Sequence, residues 1–526
     1  MADGKRLFMV DGKPFFVLGR HRIYMGGYSV HNEAEIEVNF KAAKETHGNT
    51  VGMAIFWDQI EPEEGKFDFT SIDTLIKIAR QYELKLIFLW FAAWKNAVMD
   101  YAPVWIKSNP KHFKMVISPI GSSIWTLSSH CRANLDADKK AFAALCKHLK
   151  DKDTDHTVIA IQIENEPGII GSDRDYGPEA QAVFDSRVPA ALMSKMKKAG
   201  KGDIFDLWQK AGGKASGTWP QIFGTDASEL MTAWSIASFI NEVAKAGKAY
   251  RDIPMFVNVS LGEREWWPIP GEAYPSGGAV AKVLDIYRWF APYVDMIAPD
   301  NFHENPKQQE LVNGKFARKD NPLLIVECPD NLNRMVHDIA EYDAVGYLVH
   351  YDQNEDGTIP PKENWKLQLT QSIAAAIPLL LKYQNTGKIY SVEQEDGMKY
   401  QRLDLDGYTG LISFKEIPDS RTAPSKWPFE RAAGLVIQAS RQELYLTGVN
   451  FRLMLRPKAT LEKRQATLLI RDFSHPAYIN HVMSVDEGHF DKNDEFVPDR
   501  RINGDDLRGG VWVEPAGSVI RIITCD

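Results

Sequence analysis

Two apolar segments of this 526-residue chain end in a glutamate where a buried strand would reach a surface. One is Ile161–Pro167, Ile-Gln-Ile-Glu-Asn-Glu-Pro, and the other is Leu323–Pro329, Leu-Leu-Ile-Val-Glu-Cys-Pro. A hydrophobic strand gains no stability by ending in an acidic residue. Two carboxyl groups that face one pocket are the groups that hydrolyse glycosidic bonds. We therefore predict that Glu166 and Glu327 are catalytic.

A third carboxylate, Glu164, precedes Glu166 by two positions in the first segment. Side chains two positions apart lie on the same side of a regular strand, so Glu164 is either a second pocket carboxylate or a buried ion-pair partner. A buried carboxylate without a partner costs free energy or shifts its pKa. We favour the second interpretation, in which Glu164 pairs with an arginine or lysine.

Eight short runs of apolar and β-branched residues must position these glutamates, and helical patterns separate the runs. They are Phe15–Gly19, Thr50–Phe56, Lys85–Phe91, Val158–Glu164, Pro254–Ser260, Val294–Asp300, Pro322–Cys328 and Ala344–Tyr351. Continuous hydrophobicity indicates strands that are buried on both faces, as in a parallel sheet. We predict an α/β fold, a (β/α)8 TIM barrel with insertions. A doubly wound open sheet is the competing arrangement, but no glycine-rich dinucleotide fingerprint follows the first run.

Local signals place two helices and two insertions. Apolar residues at helical spacing follow Thr70, the predicted N-cap, and a second such pattern ends near Gly247. The insertions Pro167–Thr225 and Glu263–Gly278 follow the fourth and fifth runs. Both leave the carboxyl ends of strands, where a barrel builds its pocket.

The pattern changes near residue 385, so we divide the chain into a barrel, 1–385, and a C-terminal β-domain, 386–526. The predicted strands of the second part are Tyr390–Val392, Tyr400–Leu405, Leu435–Ala439, Leu444–Val449, Ala466–Ile470 and Val519–Ile523. Short strands separated by turn residues are typical of an antiparallel sandwich.

Composition excludes several classes of protein. The net charge of −8, without blocks of like charge, argues against a nucleic-acid partner. The four cysteines form no zinc-ligand pattern and no disulfide framework, although Cys131 and Cys146 could pair. No window approaches about 18 consecutive apolar residues, so no membrane partner is expected. The N-terminus lacks the apolar core of a signal peptide, which indicates an intracellular protein or one whose leader is already removed.

Asn165-Glu166 after an apolar strand, with a second glutamate ending strand seven, resembles the retaining glycosidase clan built on the (β/α)8 barrel. Further segments are similar to glycoside hydrolase family 35: Val10–Phe16 at the start, Trp57–Phe69 after strand two, and Trp94 with Ala102–Ile106 after strand three. The resemblance covers about residues 8 to 350. It implies a β-galactosidase of a subgroup with a short C-terminal β module.

This resemblance implies that Glu166 is the acid/base, Glu327 the nucleophile and Asn165 the residue that binds the sugar 2-hydroxyl. Retaining enzymes hold their two carboxyl groups about 5 Å apart, and the ionised nucleophile raises the pKa of the acid. Two galactose contacts of the family are missing, because Ala93 stands in place of a glutamate and Ala54 in place of a tyrosine.

Other polar and aromatic residues at strand ends are candidates for substrate binding, with core packing or loop capping as the alternative. They are Trp57, Trp90, Trp94, Lys95, Asn96, Asp300, Asn301 and Tyr351, together with Arg20 and His21 after strand one. Asn258-Val-Ser260 matches a glycosylation acceptor, but it lies in a predicted buried strand and we expect it to be unmodified.

The sequence thus predicts a retaining, exo-acting β-glycosidase that needs no metal or cofactor, with β-galactosidase as the first choice. Its substrate would be an oligosaccharide or a polysaccharide-derived sugar. A β-glucosidase, a β-glucosaminidase or a transglycosidase would use the same glutamates. A non-catalytic carbohydrate-binding protein is a further alternative, but sugar binding does not need two facing carboxylates. The sequence leaves the oligomeric state open, a homo-oligomer included.

Overall fold

The computed structural model describes most of the chain. The described residues are 6–22, 33–261, 269–303, 306–327, 332–352, 354–361, 364–395, 397–414, 431–458, 482–507, 510–514 and 517–525. An N-terminal barrel and a C-terminal pair of antiparallel sheets account for nearly all of the secondary structure. The predicted fold class is therefore confirmed.

Eight parallel strands form the barrel. They are β1 (Val17–Arg22), β2 (Thr50–Phe56), β3 (Lys85–Lys95), β4 (Val158–Asn165), β5 (Met255–Ser260), β6 (Met296–Asp300), β7 (Leu324–Ile325) and β8 (Gly346–Val349). Their order in the sheet is β6-β5-β4-β3-β2-β1-β8-β7. A bridge between Asp300 and Glu327 joins β6 to β7 and closes the circle. A hairpin, Phe8–Val10 with Lys13–Phe15, precedes β1.

A helix follows each strand. The helices are α1 (Glu33–Glu45), α2 (Thr70–Gln81), α3 (Arg132–Lys152), α4 (Ala227–Lys248), α5 (Leu284–Phe290), α6 (Pro306–Phe316), α7 (Arg334–Glu341) and α8 (Asn364–Ala375). Short helices lie at Trp57–Ile60, Val104–Lys107, Pro178–Asp185, Ala190–Ala199, Asp203–Lys210, Trp219–Phe223 and Ile377–Tyr383. In the part of the chain described here, no helix is both long and apolar enough to cross a bilayer.

The apolar side chains of the barrel form two layers. Alternate residues of each strand face the interior, as Leu89 and Phe91 of β3 do. Their neighbours, such as Phe88 and Trp90, face the helices and belong to a much larger cluster. Burial on both faces is why these strands are continuously hydrophobic in the sequence.

Three local predictions need correction. Thr70 is the first residue of α2 rather than its N-cap, and its N–H is bound by Oδ1 of Asp68 at 2.9 Å. Helix α4 ends at Lys248, one residue beyond Gly247, so the predicted end is correct but Gly247 lies in the last turn and is not the cap. Cys131 and Cys146 are both buried and free, so they form no disulfide.

Gly247 instead permits the close packing of α4 on α3. A Cβ atom at this position would lie 2.4 Å from Cε1 of Phe142 and 2.8 Å from Sγ of Cys146. Alanine normally favours a helix over glycine by about 1 kcal/mol. We expect the overlap to outweigh this gain, so that Gly247→Ala lowers the free energy of unfolding by about 1–3 kcal/mol. Urea unfolding of both proteins measures the change, and a stabilised variant would contradict this account.

The two predicted insertions differ in how far they are described. Pro167–Thr225 is largely helical, with four of the short helices above. Residues 263–268 of the second insertion, including Trp266 and Trp267, lie outside the described residues. The described remainder contacts the first insertion, because the N–H groups of Ile169 and Ser276 bind each other's carbonyl oxygens at 3.0 and 2.8 Å.

The C-terminal strands form a sandwich. They are β9 (Ile389–Glu393), β10 (Tyr400–Leu405), β11 (Tyr408–Phe414), β12 (Ala433–Gln438), β13 (Glu443–Val449), β14 (Phe451–Pro457), β15 (Val482–Phe490), β16 (Phe496–Ile502), β17 (Val511–Val513) and β18 (Val519–Thr524). One sheet has the order β9-β12-β13-β18-β15-β16 and the other β10-β11-β14-β17. The predicted strand Ala466–Ile470 lies outside the described residues.

The six-stranded sheet uses both of its faces. Val436 packs toward the second sheet, whereas Leu435 and Ile437 belong to the cluster that includes the barrel helices. Polar contacts accompany this packing, since Oγ1 of Thr447 donates to the carbonyl of Ser372 in α8 at 2.7 Å. The sandwich therefore supports the helices that follow β7 and β8.

Candidate active site

Glu166 and Glu327 both lie at the carboxyl ends of barrel strands. Glu166 directly follows β4 and is 9% exposed. Glu327 lies two residues beyond β7, is half-buried, and pairs with Asp300 at the end of β6. The two predicted catalytic residues thus reach the same end of the barrel, where pockets of this fold form.

The backbone turns sharply where β4 ends. Glu164 and Glu166 have φ angles of 61° and 46°, in the left-handed region that residues other than glycine rarely adopt. The facing end of β3 repeats this feature, with φ of 52° at Asn96 and 62° at Ala97. Because the strand is not regular here, period-two alternation does not hold, and Glu164 and Glu166 have separate surroundings.

Glu164 pairs with another acid, not with the predicted arginine or lysine. Its Oε2 accepts the N–H of Trp94 at 2.7 Å, and its carboxyl hydrogen-bonds with Asp138 of α3. Burial raises the pKa of both groups, that of Asp138 to about 6 and that of Glu164 well above its usual range. A shared proton explains how two buried acids can face each other. The acid pair ties β4 to α3, and the bond from Trp94 fixes the end of β3 against β4.

Asn258 of β5 connects several residues of the site, although the sequence pattern assigns it no role there. Its Oδ1 accepts the backbone N–H of Glu166 at 2.9 Å. Its Nδ2 donates to Oδ2 of Asp300 at 2.7 Å and lies 3.5 Å from Oε1 of Glu327. One buried amide thus contacts the backbone of Glu166 and the carboxyl groups of Asp300 and Glu327. A lone polar residue within an apolar strand was the available signal.

Asp300 belongs to the site, but as a partner of protein groups. It is almost fully buried, and it hydrogen-bonds with Asn258 and with the carboxyl of Glu166. Burial, then the charges of Glu327 and Glu166, raise its pKa well above the usual range. Asp300 therefore supports Glu166, while its contact with a sugar hydroxyl stays a prediction.

The end of β3 supplies an amide and a cation to this cluster. Nδ2 of Asn96 donates to Oε2 of Glu166 at 2.5 Å, and Nζ of Lys95 hydrogen-bonds with Oδ1 of Asn96. The charge of Lys95 acts on Glu166, Asp300 and Glu327, and it lowers the pKa of each. Burial in turn lowers the pKa of Lys95. Lys95 and Asn96 therefore hold and polarise the acid groups.

The charge of Glu166 acts on Glu327. Burial and then the charge of Glu166 raise the pKa of Glu327 to about 7, while Lys95 and the adjacent amide of Asn165 oppose this rise. Burial also raises the pKa of Glu166. Near neutral pH, one of the acids Glu166, Asp300 and Glu327 therefore easily retains its proton while another is ionised.

Lys95→Met should shift the pH profile of any reaction that needs ionised Glu327. The substitution keeps the length of the side chain but removes the charge that lowers the pKa of Glu327. That pKa then rises from about 7 to a higher value, so the ionised fraction at acidic pH falls. We expect the acidic limb of kcat/KM to move to higher pH by about one unit. Lys111→Met, an exposed residue of the same connection, is the control, and an unmoved limb in Lys95→Met would refute this role.

Asn165 lies beside Glu327 with unused hydrogen-bonding capacity. Both its Nδ2 and its Oδ1 are buried, and neither makes a well-formed hydrogen bond within the described part of the chain. Buried polar atoms without partners are uncommon in folded proteins. Apart from its weak interaction with Glu327, whose pKa it lowers, the amide is therefore available to a ligand.

The predicted aromatic contacts are core residues. Trp57, Trp90 and Trp94 are fully buried and belong to the layer between barrel and helices. Trp94 packs edge-on against Phe239 of α4, with 5.0 Å between ring centroids. None of these three tryptophans can stack on a sugar, so the core-packing alternative holds.

Asn301 and Tyr351 also face the protein. Nδ2 of Asn301 donates to the carbonyl of Gln309 at 2.9 Å and to Oδ1 of Asn313 at 2.8 Å. The hydroxyl of Tyr351 donates to Oγ1 of Thr370 in α8 at 2.9 Å. Both side chains are buried, so the predicted sugar contacts of both are corrected to structural roles.

Arg20 and His21, the candidates from strand one, are both buried. Arg20 donates from Nη2 to the carbonyl of Tyr351 at 3.0 Å, so it ties β1 to the end of β8. His21 is buried, and burial with the charges of His350 and Lys95 lowers its pKa to about 3. It is therefore a neutral ring beside the charged cluster.

Two family models match parts of the chain. The model of glycoside hydrolase family 42, described as Beta-galactosidase, matches residues 29–208, which include Asn96 and Glu166. A model described as a domain of unknown function, DUF5597, matches residues 371–514, from α8 into the sandwich. The first match supports a β-galactosidase-like glycoside hydrolase, and the family it names is 42, where the motifs suggested family 35.

Several solved structures are similar, whereas no curated protein matches. The catalytic domain of a beta-amylase from Paenibacillus polymyxa is 12% identical with a TM-score of 0.47, covering 65% of this chain and 94% of that one. The beta-galactosidase from Rahnella sp. R3 is 12% identical with a TM-score of 0.49, covering 74% and 59%. The beta-galactosidase from Halorubrum lacusprofundi is 15% identical with a TM-score of 0.45, covering 68% and 58%. The chain thus spans less than two thirds of either beta-galactosidase.

Proposed function

We propose that this chain, a β-galactosidase-like glycoside hydrolase, is a retaining exo-acting β-glycosidase that releases a terminal sugar, with galactose as the first candidate. The observation that supports this best is the cluster at the barrel mouth. Glu166 and Glu327 share it with Asn258, Asp300 and Lys95. A retaining glycosidase needs one ionised carboxyl group that attacks and one protonated carboxyl group that assists the leaving oxygen, and this cluster supplies two candidates.

In the first step, ionised Glu327 would attack the anomeric carbon of the sugar. The bond from this carbon to the leaving oxygen breaks, and Glu166 gives its proton to that oxygen. Asn96 and Asp300 hold the carboxyl of Glu166, while Lys95 favours ionisation of Glu327. The product of this step is a glycosyl ester of Glu327 and a free alcohol.

In the second step, water would hydrolyse the ester. The charge of Glu327 is lost in the ester, and this charge is one cause of the raised pKa of Asp300, the hydrogen-bond partner of Glu166. Glu166 can then remain ionised beside Lys95 and accept a proton from water. Water attacks the anomeric carbon, Glu327 leaves as a carboxylate, and the anomeric configuration of the substrate is retained.

Asn165 is our candidate for the 2-hydroxyl of the sugar. Its amide is buried beside Glu327 with unused hydrogen-bonding atoms. A hydrogen bond to the 2-hydroxyl strengthens as charge develops at the anomeric centre, so it favours the transition state over bound substrate.

Galactose specificity depends on the match to the beta-galactosidase family model and on the sequence motifs. Ala54 lies in the barrel interior, among the buried side chains of its inner layer. Ala93 lies in the helix-facing layer, away from the interior. A glucosidase, a glucosaminidase or a transglycosidase with the same glutamates is the alternative. Closer kinship to family 35, a domain boundary at residue 385 and assembly as a homo-oligomer are further parts of this proposal.

A panel of nitrophenyl β-glycosides tests this proposal. It should include the galactoside, glucoside, fucoside, glucosaminide and arabinopyranoside, assayed with the full-length protein. We expect the highest kcat/KM with the galactoside. Cleavage of another member alone would reject the preference for galactose and leave the mechanism intact, whereas no cleavage of any member would reject the proposed function.

A further inference from the structure

A small hairpin in the β3–α3 connection lies against the loop that holds Glu166. Its strands are Met115–Ile117 and Ser123–Leu127. Oγ1 of Thr126 hydrogen-bonds with the carbonyl of Ala97, which directly follows Asn96. The N–H of Met99 donates to the carbonyl of Trp125 at 3.1 Å. The hairpin is thus fixed to the segment that also holds the carboxyl of Glu166.

Tyr101 of the same connection borders the barrel mouth. Its ring stacks on Phe56, with centroids 4.4 Å apart, and lies 5.7 Å from Phe91. These two phenylalanines are the last interior residues of β2 and β3. Nζ of Lys95 lies 5.0 Å from the ring of Phe91, so Tyr101 and the catalytic cluster share this phenylalanine as a neighbour.

Trp125 of the hairpin is 46% exposed, and no other tryptophan of the described residues is exposed. Its Nε1 donates to Oδ1 of Asp100 at 2.8 Å, next to Tyr101 in the chain. No ring of a described residue stacks on it. Scattered exposed apolar residues are normal on protein surfaces. An indole whose orientation is fixed by a hydrogen bond, on a hairpin joined to the segment that follows Asn96, is a more specific feature.

We propose that Trp125, oriented by Asp100 and next to Tyr101, is the platform that binds the leaving-group sugar of the substrate. This inference rests on the proposed function and adds the class of substrate to it. Glu166 must face the glycosidic oxygen, so the leaving group lies on its side of the site. The connection that carries Trp125 also carries Asn96, the partner of Glu166.

The chemistry of the platform indicates what it binds. The C–H face of a pyranose is flat and apolar, and it packs on an aromatic ring such as indole. The carboxylate of Asp100 is exposed and can accept hydrogen bonds from hydroxyl groups at the edge of the same sugar. The preferred substrate is therefore an oligosaccharide with a pyranose on the leaving side, rather than a simple alkyl glycoside.

The test compares two substrates of the sugar that the wild-type protein prefers. One is the β-linked disaccharide, which has a leaving-group pyranose, and the other is the glycosyl fluoride, which has none. We expect Trp125→Ala to lower the ratio of their kcat/KM values, disaccharide over fluoride, by about tenfold. Trp125→Phe should recover most of the ratio, because it restores a ring. Asp100→Ala should lower the ratio less than Trp125→Ala, because the ring remains but loses its anchor.

Tyr250→Ala is the matched control, since Tyr250 is 42% exposed and lies at the opposite end of the barrel, before β5. In Tyr250→Ala, the ratio of kcat/KM for the disaccharide to kcat/KM for the fluoride should equal that of the wild type. Ratios within twofold of the wild type in both Trp125→Ala and Asp100→Ala would overturn the platform alone. A wild-type protein that cleaves neither substrate would overturn the proposed function, and the platform with it.

Discussion

Replacing Glu327 with glycine is expected to lower kcat/KM for the accepted β-glycoside by at least about 10⁴-fold, because no other group can form the glycosyl ester. Glu327 is half-buried and its backbone pairs with Asp300, so the side chain can be removed while the strand contact remains. Steady-state kinetics with the nitrophenyl glycoside and the glycosyl fluoride give the change.

Glu83→Gly is the control for this variant. Glu83 is exposed, and its φ of 54° suits glycine, so activity and fold should be unchanged. If Glu327→Gly retains more than a few per cent of the wild-type turnover on the fluoride, Glu327 is not the nucleophile. The fluoride needs little help from an acid, so this measurement isolates the attacking group.

Glu166→Gln is expected to have an effect that depends on the leaving group. Glutamine keeps the contact with Asn96 but cannot donate an acidic proton. For a disaccharide, whose leaving oxygen needs that proton, we expect kcat/KM to fall by about 10²–10⁴-fold. For a dinitrophenyl glycoside, the fold-decrease in kcat/KM should be at least about tenfold smaller than for the disaccharide, because its leaving group departs as a stable anion.

The pH profile gives an independent view of the same residue. Burial raises the pKa of Glu166, so its proton is retained to higher pH than in an ordinary glutamate and is lost as the pH rises. In the wild type this loss sets the basic limb of kcat/KM. In Glu166→Gln the basic limb should disappear. Equal losses for both leaving groups, or an unchanged basic limb, would remove Glu166 from the role of acid.

The barrel could be predicted from sequence because its strands are buried on both faces. β2 has the predicted bounds, Thr50–Phe56, since every one of its side chains is buried. β7 is the exception, because the chain bends at Val326 and only Leu324–Ile325 pair as a strand. The catalytic candidates were visible for the same reason, as acidic residues that end apolar runs.

The faces of these strands could not be predicted. In a strand that is hydrophobic throughout, the pattern does not show which residues point inward, so Trp90 and Phe91 of β3 look alike. The tryptophans predicted to bind sugar proved to face the helices. Trp125 lies in a hairpin that is distant in sequence from every predicted strand, so a search at strand ends does not find it.

Contacts between distant segments were also beyond the sequence pattern. Glu164 pairs with Asp138, and no spacing rule links a strand end to a helix that precedes it. Asn258 was noticed only as part of a glycosylation acceptor, although its burial in β5 makes it the link between Glu166, Asp300 and Glu327. The left-handed turn at the end of β4 explains why Glu164 and Glu166 differ.

Covalent trapping of the sugar on the protein tests the central claim most directly. A 2-deoxy-2-fluoro glycosyl fluoride of the preferred sugar slows both steps, but its good leaving group lets the ester form and accumulate. Mass spectrometry should then find one added 2-fluoroglycosyl group, located by peptide mapping at Glu327. A label at another carboxylate, or inhibition without any covalent label, would contradict the account in which Glu327 attacks and Glu166 supplies the proton.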